Sequence, residues 1–86
     1  MELTPEMEKG WEQIKSGSPE QMLEGFKVWI PWSIEHAQGH YHDFARSVHS
    51  AGMRLYYKIC FSDELAEKAD NLFWSLDNLQ MALSGI

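Results

Sequence analysis

Cysteine is almost missing from this chain of 86 residues: the single Cys60 cannot form an internal disulfide, and nothing near it has the spacing of a metal knuckle. A reducing compartment follows as the expectation, and with it a soluble, cytoplasmic protein. Long apolar runs are missing too. The longest uncharged one, VWIPW at 28–32, is too short to span a bilayer, and the opening MELTPEMEKG is acidic with no apolar signal-peptide core. No membrane partner is expected. Basic residues are scarce, seven against thirteen acids, for a net charge of −6. Binding a phosphate backbone by bulk charge needs a basic surface that releases counterions, so nucleic acid is disfavoured as a partner. Strand-type alternation, internal repeats, low-complexity tracts and glycine-rich phosphate loops are absent from the sequence as well. Nucleophilic catalysis has little to stand on, because Ser33, Ser47, Ser50 and Cys60 all lack a flanking motif.

What is present is apolar and aromatic: 44% hydrophobic residues and eleven aromatic rings, four of them Trp. Such a chain folds, although a domain this small buries only about 60% of the surface its unfolded form exposes. The charge is unevenly placed. Six acids and two bases lie in residues 1–24, five acids and one base in 62–86, and four bases, two acids and all four histidines in 25–61.

Helix signals repeat along the chain. Thr4 as N-cap, Pro5 at the first helical position and Gly17 past the last turn predict a helix over 5–16, with Met7, Trp11 and Ile14 as its apolar stripe. Ser18, Pro19 and Gln21 read as a capping box for a second helix over 19–29 that buries Met22, Leu23, Phe26 and Trp29. Pro31 predicts a corner or sharp kink at WIPW. Beyond it Ile34, Ala37, Tyr41, Phe44, Val48, Ala51, Leu55 and Ile59 step by three or four along a third helix over 32–61, open to a break near Gly39. Ser62, Asp63 and Glu64 start the fourth, with a stripe of Leu65, Ala69, Leu72, Leu76, Leu79 and Leu83. The expected fold is all-α: a small bundle of about four helices in one domain, two short N-terminal helices beside a long antiparallel hairpin of helices 3 and 4.

Two candidate sites remain once this core is built. If helix 3 is continuous, His36, His40 and Asp43 stand at i, i+4 and i+7 on one flank, a spacing that could hold a metal. The zinc-hydrolase motif is absent, since Ala37 occupies the place of the general base, and two partly exposed histidines on a polar flank are the simpler explanation of the pattern. His42 and His49 lie about two turns apart, too far to share an ion, with Arg46 between them. The other site is apolar. Trp74 and Met81 project opposite the leucine stripe among Glu67, Asp70, Asp77 and Asn78, while Met53 and Tyr57 lie opposite the seam of helix 3, near Trp32 and Arg46. Large exposed aromatic residues on a small domain mark contact with something. The leading expectation is therefore an acidic helical module without catalysis or cofactor. It binds another protein, as a homo-oligomer subunit, an adaptor or an inhibitor. Small acidic domains can also occlude a nucleic-acid site on a target, in the style of phage-encoded inhibitors of host enzymes, although thirteen acids offset by seven bases is a modest density for that. The alternative is a metal or ligand site at His36, His40 and Asp43.

Overall fold

A computed structural model describes residues 3–85 and contains four helices: α1 (Pro5–Lys15), α2 (Pro19–Glu35), α3 (His42–Ile59) and α4 (Ala66–Ser84). The first begins as its sequence dictates, with Thr4 Oγ1 accepting a hydrogen bond from the Met7 amide at 3.1 Å. Ser18 stands at the N-cap of α2 without a side-chain capping bond, and Gln21 instead accepts a hydrogen bond from the Gln13 side chain at 3.3 Å. The capping box does not form.

Pro31 does not break the chain either. Helix α2 runs through it to Glu35, so the corner predicted at WIPW is wrong. Both Pro31 and Lys27, the residue whose carbonyl loses its amide donor there, are exposed, which lets water take that place. Around them Phe26, Trp29, Ile30 and Ser33 are buried, and their packing outweighs the missing bond. The break comes instead at residues 36–41, where Gly39 has φ of +138°, a backbone that side chains rarely adopt. Helix 3 therefore starts ten residues later than predicted, and Ile34, placed on its seam, belongs to α2 and is exposed. Helix α4 starts at Ala66 rather than at Ser62, with residues 61–65 in turns.

Helix α2 is the centre of the fold: it packs on α1, α3 and α4, whereas α1 packs closely on α2 alone. The α1–α2 approach is made by glycines, since a Cβ on Gly25 would lie 2.3 Å from the Gly10 carbonyl oxygen. Helices α3 and α4 form the predicted antiparallel hairpin. Gly52 supplies its close contact, and there a Cβ would meet the Leu76 side chain at 2.5 Å. At the open end of the hairpin, Gln38 donates to the carbonyls of Ala82 and Leu83 at 2.8 and 3.1 Å, tying the α2–α3 turn to the last turn of α4.

The core joins Leu23, Phe26, Trp29 and Ile30 of α2 to Val48, Leu55 and Ile59 of α3 and Ala69, Leu72, Leu76 and Leu79 of α4. Its shape is flat, with Cα extents of 38 × 30 × 14 Å. With α2 applied to one side of the α3–α4 hairpin, the other side of the hairpin is left to solvent.

Candidate functional site

On that open side lie the residues singled out for association. Tyr57 is 66% exposed, Trp74 62% and Met81 42%. The hairpin brings the first two together through rings that sequence reasoning passed over. Tyr56 contacts Tyr57 with ring centroids 5.7 Å apart, Tyr56 meets Phe73 across the helix pair at 5.4 Å, and Phe73 contacts Trp74 at 5.5 Å. Four aromatic rings thus form a continuous ridge from the outer edge of α3 to the outer edge of α4. Two adjacent pairs, Tyr56-Tyr57 and Phe73-Trp74, were the available signal: once α3 and α4 are antiparallel with Gly52 against Leu76, the pairs fall at the same level.

Around the ridge the charges separate by helix. On α4, Asp70 is exposed and Asp77 half-buried on the Phe73 flank, and Asn78 is exposed beside Trp74. On α3, Arg46, Arg54 and Lys58 are exposed. Among the described residues the ion pairs are Lys15–Glu12 and Lys27–Glu24, both at 3.1 Å on the solvent side of α1 and α2, so the hairpin's charges are not committed to one another. Met53 is half-buried and packs against the core, which makes it a support of the face rather than its apex. Trp32 is not near Tyr57 at all: it sits on α2, stacked on His36 at 4.2 Å and in edge contact with Trp29 and Phe44.

The histidines are divided by the break at Gly39. His36 is the C-cap of α2, its Nδ1 2.9 Å from the Trp32 carbonyl; His40 is exposed in the turn against Tyr41; Asp43 lies in the first turn of α3. The helical spacing that would bring them to one ion does not exist. Among the described residues no group of three His, Cys, Asp or Glu side chains is placed to hold a metal. His42 Nδ1 lies 2.5 Å from the Ala37 carbonyl and closes the turn. His49, beside His42, Arg46 and Ser50 of α3 and Gln80, Leu83 and Ser84 of α4, has its pKa lowered because burial disfavours the charged ring.

Opposite the ridge, α2 and α4 bound a groove of about 380 Å³, with Leu23, Phe26, Ile30 and Leu72 as its floor and Glu24, Lys27, Glu67 and Lys68 on its edges. Its rim mixes both signs, and part of it is already paired as Lys27–Glu24.

No protein-family model, no curated protein and no solved structure matches the chain, so fold and site geometry carry the functional argument alone. No helix of the described residues is long and apolar enough to cross a membrane.

Proposed function

We propose that this protein is a non-catalytic protein-binding module, an oligomer subunit, adaptor or inhibitor, whose binding surface is the aromatic ridge of the α3–α4 hairpin. The observation that carries the proposal is a run of four contiguous rings, with Tyr57, Phe73 and Trp74 exposed and the half-buried Tyr56 joining them, on the side of the hairpin that α2 does not cover. Holding this much aromatic surface in water is unfavourable, at about 25 cal/mol per Å² of apolar area, and a partner that covers it recovers that free energy. Trp and Tyr at the centre of a patch with a charged margin form the composition of an interface hot spot. The acids Asp70 and Asp77 on one margin and the bases Arg46 and Arg54 on the other orient whatever docks there. The half-buried Cys60, unpaired, suits a reducing compartment such as the cytoplasm.

Replacing Trp74 with Ala tests this role. Association should weaken by more than about 1 kcal/mol, the threshold for an anchor residue, while the fold is retained. A variant that stays folded and associates as the wild type does would show the ridge to be idle.

A further inference from the structure

Building on the role proposed for this face, we infer that its occupant is the same face of a second copy of the chain, packed so that α3 of each copy lies over α4 of the other. The argument begins with sign. The outward charges of α3 on this side are Arg46 and Arg54 against Asp43, and those of α4 are Asp70 and Asp77, with Glu67 and Lys68 both turned away to line the groove beside α2. One hairpin face therefore carries a basic half and an acidic half with aromatic rings between them. Such a surface is complementary to itself.

Symmetry then selects the arrangement. Two identical faces meet about a two-fold axis lying in the interface, and each contact occurs twice. An axis across the helices would set α3 upon α3, arginine against arginine. An axis along the helices sets α3 upon the partner's α4 and keeps every residue at its own level. That level is fixed by contacts within the hairpin: Gly52 against Leu76, Tyr56 against Phe73, and His49 beside Gln80. Continuing the register, Arg54, one turn from Tyr57, falls at the level of Trp74, with Asp70 and Asp77 about one turn to either side. A guanidinium thus faces an indole with carboxylates on both sides of it, each contact formed twice. Arg over Trp is the better of the cation–π combinations.

Size and shape agree. The broad side of the molecule measures 38 × 30 Å, room for the roughly 800 Å² per partner of a standard interface. With each copy at −6, long-range charge opposes association, so the rings supply affinity and the local pairs supply orientation.

Charge-swap rescue tests the arrangement, measured by sedimentation velocity over a concentration series. Arg54→Asp and Asp70→Arg should each weaken the dimer about tenfold, because each reversal turns two symmetry-related attractions into repulsions, and the double variant should return close to wild type. Both positions are exposed, so the variants keep their fold, checked by thermal melts. Failure of the double variant to recover overturns the α3-on-α4 packing. A wild type that stays monomeric throughout overturns self-association and leaves the binding role of the ridge to its own test, whereas a dimer unaffected by Trp74→Ala overturns both.

Discussion

Two clusters of aromatic rings divide this molecule, and they differ less in chemistry than in what lies on top of them. The inner cluster joins Trp11 of α1, Trp29 and Trp32 of α2 and Phe44 of α3, with centroid separations of 5.3–5.8 Å. Trp29 at its centre is 1% exposed, and its Nε1–H donates to the Met7 carbonyl at 3.0 Å. The outer cluster, from Tyr57 to Trp74, has the same spacing, yet Tyr57 and Trp74 are mostly in water, and among the described residues their side chains make no hydrogen bond. Aromatic rings packed edge to edge are thus no proof of a core. Whether the rings are roofed decides, and here α1 and α2 roof one cluster only.

The largest way to break this contrast is to remove the centre of the inner cluster. Trp29→Ala should cost about 3–5 kcal/mol in denaturant unfolding, from lost burial and the cavity left behind. Next in size is the glycine contact that holds α1, and with it Trp11, on α2. Gly25→Ala places a methyl 2.3 Å from the Gly10 carbonyl oxygen and should cost about 1–3 kcal/mol, with α1 losing amide protection first. Ser33, one turn beyond Trp29, is fully buried and its hydroxyl has no hydrogen-bond partner. Ser33→Ala should therefore leave stability unchanged or raise it by up to about 1 kcal/mol, and a clear loss would reveal a partner for that hydroxyl.

On the outer cluster the same kind of truncation should behave oppositely. Trp74→Ala is expected to change folding stability by no more than about 0.5 kcal/mol, as surface substitutions do, while association suffers. The smallest effect belongs to His49. Its folded pKa lies below the ordinary 6.5, so as pH falls the unfolded chain takes up the proton first. Its contribution is complete above about pH 6.5 and is lost as pH drops through that value; His49→Gln should flatten the melting temperature between neutral and mildly acidic pH.

How much of this was legible in the sequence follows from what local signals encode. Ala69, Leu72, Leu76 and Leu79 of the α4 stripe and Val48, Leu55 and Ile59 of the α3 seam repeat at helical spacing and are buried as read, while Leu65 and Leu83 at the ends of the stripe are half-buried. The helix boundary between α2 and α3 was misplaced because Pro31 is a strong local breaker that tertiary packing overrode, while Gly39, weaker by propensity, took a left-handed backbone and ended the run. That one shift undid the spacing of His36, His40 and Asp43 and moved Trp32 from the outer face to the inner cluster. Gly25 was not identified as a contact because close helix approach leaves no periodic trace. Trp74, Met81 and Tyr57 were correctly singled out as exposed, since a residue opposite a complete stripe has nowhere inside to go. Their bridging by Tyr56 and Phe73 needed the register of two helices, which no single helix carries.

The central claim is that the inner rings hold the fold and the outer rings hold a partner. Sedimentation equilibrium of the wild type and Trp74→Ala, under conditions where both are shown to be folded, tests it most directly. The account predicts a concentration-dependent mass rising toward twice the 10.0 kDa chain for the wild type and a mass near one chain for the variant at the same loading. Mass curves that rise alike toward the dimer for both proteins would contradict it.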